Sequence, residues 1–386
     1  MARVRCFDCG DIAVRAPSAL AIAALFIASA APASAEVERP PQFVLMAFDN
    51  CSELERWRDL TEFAADMNKS GERLHFTFFV SGTNLIADAS RMLYQAPRNR
   101  RGYSSINFGG SADDVAKRVE FINALHRAGH EIASHAVGHF NGATWSSDEW
   151  RQELRAYSDV IDKVAAHNGL PETTRLIFDA RRVQGFRAPY LAAGPGLYGA
   201  LRASGFRYDA SRVSPADAWP EKVDGLWRFN LAPLRISGSR RATLSMDFNF
   251  FMAQSRARHE PSHQSLYGEQ MLATYLDYFK TSYTGNRAPL HIGHHFASMQ
   301  GGVYHEALKT FARIVCGLPE VRCISYEKLA DVMDKLAPET LAAYRSGDFP
   351  RAELPIFKMA RRPWGVRLRG AAHSAHAWYW ILACAQ

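Results

Sequence analysis

Two histidines, His135 and His139, stand four residues apart just after the short apolar run that ends Gly129-His130-Glu131-Ile132-Ala133-Ser134. On a strand-to-turn segment, or on one helical turn, that spacing lets both imidazoles reach one metal ion. The spacing alone equally suits two hydrogen-bonded structural histidines. Other residues able to do chemistry recur along the chain at places that read as strand ends: Asp49-Asn50, Arg187, Asp209 and His294-His295.

The elements that must position these groups are legible as periodicity. Phe43 to Phe48 is a continuous apolar run that reads as a buried strand with Asp49-Asn50 at its carboxyl end. Ser52 with Glu55 reads as a capping box, and Trp57, Leu60, Phe63, Ala64 and Met67 form a helical stripe. Phe76 to Val80 is a second strand. Residues 84–110 hold Pro, Gly, Asn and several arginines with little periodicity, a long loop of the kind that is more often functional than idle. Ser111 with Asp114 opens a helix that Gly129 closes, and the paired histidines follow as strand and turn. A helix over about 147–167, strands before Arg187 and at 206–209, and a turn-rich stretch at 211–243 come next. Leu244 to Phe251 is expected as a strand, Leu266 to Tyr283 as a helix, Pro289 to Phe296 as strand plus loop, and Ser325 as the cap of a last helix. Strands of five or six residues alternating with helices predict an α/β domain, barrel-like or doubly wound, with parallel strands and outer helices. Such folds collect functional residues at one mouth, where a loop leaves each strand.

Residues 1–35 resemble a signal peptide. Arg3, Arg5 and Arg15 precede the apolar run 19–28, and Ala33-Ser34-Ala35 matches a cleavage site. The run is shorter than the ~20 residues a span requires, and no later stretch is long enough, so no integral span is expected after processing. Export to the periplasm or medium follows, and permits disulfides. Cys316 and Cys323 could close a small loop. The formal charge of +7 is a modest excess suited to anionic envelope polymers, and no basic-aromatic pattern points to nucleic acid. The domain is expected over 36–337, with 338–386 as a loosely attached basic and aromatic tail.

Taken in order, the strand-end residues resemble the polysaccharide deacetylase family, the metal-dependent carbohydrate esterases with a NodB-type domain. Ala47-Phe48-Asp49-Asn50 stands where the family has an acidic pair closing a core strand. His135-Ala136-Val137-Gly138-His139 matches its His-Ser/Thr-x-x-His, and Arg187-Ala188-Pro189-Tyr190 its Arg-x-Pro-Tyr/Phe. Asp209 falls on the fourth motif, and His294 or His295 on the fifth, with His295 the better match to a chitin-deacetylase-like branch. The resemblance spans about residues 43–333 and implies a distorted (β/α) barrel.

It also implies roles. Amide hydrolysis needs an activated water, an electrophile for the carbonyl, a base and an acid. His135 and His139 would be metal ligands, for zinc or alternatively cobalt or nickel, with Asn50 at the third ligand position. Asp49 would be the base, held ionised by Arg187. Tyr190 would offer its backbone N–H to the oxyanion, and His295 or His294 would be the acid, backed by a buried Asp such as Asp209. Trp219, Trp227 and Tyr190 are candidate sugar-stacking faces. Asn50 departs from the family's Asp-His-His triad, since its neutral oxygen is a poorer partner for a dication. The ion could be held by both histidines and the amide oxygen, Asp49 could take over as ligand, or the site could lack metal.

The expected activity is removal of N-acetyl groups from an amino-sugar polymer, peptidoglycan-type or chitin-like. The rival readings are a catalytically silent glycan-binding protein and, if the 84–110 loop closes the groove, a hydrolase of small N-acyl substrates.

Overall fold

The computed structural model describes residues 37–71 and 73–354. The expected signal segment and the basic-aromatic stretch beyond 354 lie outside the described residues. The strands are β1 (Gln42–Asn50), β2 (Thr77–Val80), β3 (Glu131–Ser134), β4 (Gly185–Phe186), β5 (Tyr208–Asp209), β6 (Glu221–Val223), β7 (Leu226–Arg228), β8 (Pro233–Arg235), β9 (Ala242–Leu244), β10 (Leu290–His295) and β11 (Val321–Cys323). The helices are α1 (Leu54–Asn68), α2 (Ala112–Arg127), α3 (Ser147–Asp162), α4 (Val164–His167), α5 (Pro195–Ala203), α6 (Asp247–Ser255), α7 (Gln264–Thr284), α8 (Val303–Val315), α9 (Tyr326–Met333) and α10 (Pro338–Ser346).

The main sheet runs β10-β1-β2-β3-β4-β5-β7-β6, with β11 also on β1. Its pairings are parallel except β6 with β7, and β8 with β9 form a separate antiparallel hairpin. Past β7, Ser245 donates its N–H to Ala232 at 2.8 Å and Gly293 donates to Ser245 at 2.9 Å. The sheet therefore curls back toward β10 as a half-barrel with helices outside, the distorted (β/α) form the motifs imply. The short strands of the 211–243 stretch escape a periodicity reading because three residues carry no period.

β1 organises the core because almost every residue of it is buried. Phe48 packs against Phe76, Phe78 and Phe296 under α1, whose Trp57 lies 4.9 Å from both Phe78 and Phe296. Alternation along the strand then turns Asp49 to the opposite face. The helix starts behave as capping chemistry predicts at α2 and α3, where Ser111 with Asp114 and Ser146 with Glu149 form complete capping boxes. At α1 the expected box does not form: Glu53 is the N-cap and its side chain makes no capping bond.

Two expectations need correction. Residues 247–255 are helix, not strand, with Asp247 as an acidic first-turn residue favoured at the positive helix end. Residues 338–354 are not loose: Tyr344 stacks on Trp219 at 5.1 Å, and Arg345 donates to the Pro220 carbonyl at 2.9 Å. Arg39 also donates to the carbonyls of Pro350 and Arg351. The Cys316–Cys323 disulfide forms, and Cys51 is a buried free thiol.

Candidate active site

Asp49 ends the straight part of β1. Asn50 and Cys51 then take left-handed backbone, with φ of 68° and 65°, and turn the chain sharply out of the sheet. Parallel register puts Asp49 beside His295 of β10 and Phe79 of β2. From β4, Arg187 crosses below it. Its Nη1 donates to Asp49 Oδ1 at 2.7 Å, its Nε to the Ala210 carbonyl at 3.0 Å, and its Nη2 to the Tyr326 hydroxyl at 3.1 Å. Its guanidinium also covers the Phe79 ring at 4.3 Å. Both charges are buried. Burial pushes the Asp49 carboxyl up, but Arg187, then His135 and His295, outweigh it and leave it below the usual carboxylate range.

His135 and His139 sit on the turn after β3, their rings 5.0 Å apart. His135 Nδ1 meets the Arg187 carbonyl at 2.7 Å, an arrangement that puts the proton on Nδ1 and leaves the Nε2 lone pair free. Burial lowers the pKa of His135 to about 3 and that of His139 to about 4, so both rings are neutral near pH 7. The turn is held by buried Glu153, which accepts the N–H groups of Val137 at 2.8 Å and Gly138 at 3.2 Å and the Tyr94 hydroxyl at 2.9 Å. The 84–110 segment grips it from the other side. Ser105 donates its N–H to the Gly138 carbonyl at 2.9 Å and its hydroxyl to the His139 carbonyl, and lies 3.3 Å from the Tyr190 hydroxyl. Tyr190 itself has φ 58° and is 61% exposed, with its ring 4.7 Å from that of His139.

The adjacent histidines of β10 part company, as strand alternation requires. His294 pairs in register with Phe48 and points into the core, where its Nε2 is 3.1 Å from the Tyr275 hydroxyl; burial lowers its pKa to about 4. His295 pairs with Asp49 and keeps a quarter of its side chain exposed. Its N–H donates to Asp247 Oδ2 at 2.8 Å and its Nδ1 lies 2.7 Å from Oδ1. Burial opposes protonation of His295, but the Asp247 charge wins and holds its pKa above the ordinary 6.5.

The sequence pattern does not single out Asp247. It occupies the place expected for Asp209; its signal, a strand-like Thr243-Leu244-Ser245 followed by an acid, is masked by the apolar run that continues to Phe251. Asp209 is fully buried elsewhere: Ser211 donates to its Oδ1 at 2.5 Å, and Arg228 lies 3.5 Å from Oδ2. Trp219 and Trp227 are not stacking faces. Both are 4% exposed, with their indole N–H groups spent on the Asn286 carbonyl and Asp334.

The family model described as polysaccharide deacetylase matches residues 36–208. Over those residues the chain is similar to the polysaccharide deacetylase family. No curated protein matches. Among solved structures, the chain is similar to the Xyl-CE4 domain of a multidomain xylanase from the hindgut metagenome of Trinervitermes trinervoides. That likeness is at 14% identity, covering 77% of this chain and 93% of that one, with a TM-score of 0.40. It is also similar to a CE4 family pseudoenzyme from Bacillus anthracis (11% identity, 75% and 66% covered, TM-score 0.39). The chitin deacetylase from Colletotrichum lindemuthianum is a further likeness (14% identity, 71% and 82% covered, TM-score 0.38).

A deacetylase ion would need donors around the paired histidines. His139 Nδ1 is buried with no hydrogen-bond partner, and two neutral imidazoles suit a divalent ion. The third position is weaker. Asn84 Nδ2 lies 3.2 Å from the Asn50 amide oxygen, and among the described residues no three His, Cys, Asp or Glu side chains cluster to hold a metal. The paired histidines suit such an ion, and the Asn50 oxygen, at the third position the motif resemblance implies, would bring less charge than a carboxylate.

Proposed function

We propose that the chain is a deacetylase that removes N-acetyl groups from an exported amino-sugar polymer, peptidoglycan-type or chitin-like. The observation that carries this reading is the convergence of two buried acid-base pairs, Asp49 with Arg187 and His295 with Asp247, on the turn bearing His135 and His139. When bound, a divalent ion such as zinc would supply an acidified water and an electrophile for the amide oxygen. Asp49, kept ionised by Arg187, accepts a proton as water adds to the carbonyl carbon. The Tyr190 backbone N–H faces the oxyanion that forms. The carbon–nitrogen bond then breaks while His295, its Nδ1 held by Asp247, passes a proton from Nε2 to the departing amine. The products are acetate and a free amino sugar. His294 takes no part.

A second reading, a glycan-binding protein without turnover, is favoured by the Asn50–Asn84 contact, which engages the one donor that replaces a carboxylate. Acetate release from N-acetylglucosamine oligomers and peptidoglycan, with added zinc, cobalt or nickel, separates the two. Acetate above the level of a His135→Ala control supports the enzyme; binding without acetate under every ion supports the silent protein.

A further inference from the structure

Beside the reaction centre lies an arginine pair that the chemistry above does not use. The Arg228 guanidinium lies 3.6 Å from the centroid of the Tyr198 ring, and that of Arg212 lies 5.1 Å away. Arg212 Nε donates to the Tyr198 hydroxyl at 2.5 Å. Among the described residues the carboxylate that meets this pair is Asp209, fully buried, with one oxygen taken by Ser211 and the other 3.5 Å from Arg228. Among the described residues Arg212 has no carboxylate within salt-bridge distance, and neither of its Nη atoms has a hydrogen-bond partner. By contrast Arg202 and Arg207, on and after the same helix, are each ion-paired with an Asp. Two guanidiniums against one buried carboxylate leave an uncompensated positive charge at an exposed side chain.

The patch is continuous with the site. Ser211, which binds Asp209, also accepts the Ala188 N–H at 2.7 Å, and Ala188 lies between Arg187 and the Pro189-Tyr190 turn. Tyr198 lies in the first turn of α5, and Arg212 and Arg228 stand at the carboxyl ends of β5 and β7, so all three sit at the mouth end of the sheet. A guanidinium with free Nη atoms is built to take a carboxylate in two parallel bonds.

Resting on the deacetylase reading, we propose that Arg212, braced by Tyr198 and Arg228, forms a subsite for a carboxylate carried by the glycan, so that the substrate class is an acidic amino-sugar polymer.

The test uses the full chain and two ligands that differ only at the carboxylate group. One is a tetramer of alternating N-acetylglucosamine and N-acetylmuramic acid with free lactyl carboxylates; the other is its methyl ester. By calorimetry in dilute salt, the wild type is expected to bind the acid about tenfold more tightly than the ester, with the gap shrinking in about 0.5 M salt. Arg212→Gln is expected to narrow the gap below about twofold, and Arg212→Lys to keep part of it. Equal binding of acid and ester by the wild type, or an undiminished gap in Arg212→Gln, overturns the subsite. Acetate release from acid and ester at one rate would leave the deacetylase standing without it. Binding of neither tetramer overturns the subsite alone, because acetate release from N-acetylglucosamine oligomers tests the deacetylase reading separately.

Discussion

His295 and Asp247 meet twice: the backbone N–H of His295 reaches one carboxylate oxygen at 2.8 Å and its Nδ1 reaches the other at 2.7 Å. The double contact fixes both the ring and the charge beside it. Asp247 is buried, and although burial pushes its carboxyl up, His295 and His294 hold its pKa at about 2. His295 is consequently the one site histidine whose pKa is raised while those of His135, His139 and His294 are depressed.

That contrast sets a pH dependence. A raised pKa means His295 is protonated below its folded value and loses its proton as pH rises through it, so an acid in this role fails on the alkaline side, at a midpoint above 6.5. Asp247→Asn removes the charge that raises it. The alkaline midpoint of kcat/KM should move down, with kcat falling about 10²-fold. An alkaline limb that stays in place would show that His295 is not the titrating group.

Arg187 and Asp49 form a buried ion pair in which each depends on the other. Arg187→Met should destabilise the fold by about 3–5 kcal/mol, because it strands a buried carboxylate. Adding Asp49→Asn should restore much of the loss. Urea unfolding of the two variants measures this, and strictly additive losses would contradict the coupling.

At position 50 the expected change is a gain. If Asn50 is the third ligand, Asn50→Asp adds a charge to the ion site, and zinc affinity, read by calorimetry, should rise about tenfold or more. An unchanged affinity would mean that residue 50 is not a ligand.

The Cys316–Cys323 bridge closes a short loop between α8 and β11. Its reduction should cost about 2 kcal/mol in the chain-entropy view. The drop in melting temperature with a phosphine reductant, absent in a Cys316→Ser/Cys323→Ser variant, checks it.

Much of the site was legible because its residues lie at strand ends in a fixed order, where a short local pattern carries the meaning. Asp49, Arg187, His135 and His139 all fall within such patterns, and the structure brings them together. Asp247 did not show itself, since its neighbours Phe248, Phe250 and Phe251 read equally well as strand and as helix. Trp219 and Trp227 misled for the opposite reason: an aromatic is as suited to a core as to a sugar, and only burial distinguishes the two.

Local sequence determined the apolar core strands such as β1, β2 and β10, which residues close them and where the paired histidines turn, because those depend on period, caps and neighbours along the chain. Tertiary structure decided the partners. Which of His294 and His295 lies beside Asp49 came from the register of β10 against β1, which sets Phe48 beside the other. The acid behind His295 came from a helix start 48 residues away in sequence. Such pairings depend on which strands lie side by side, and no local pattern encodes that adjacency.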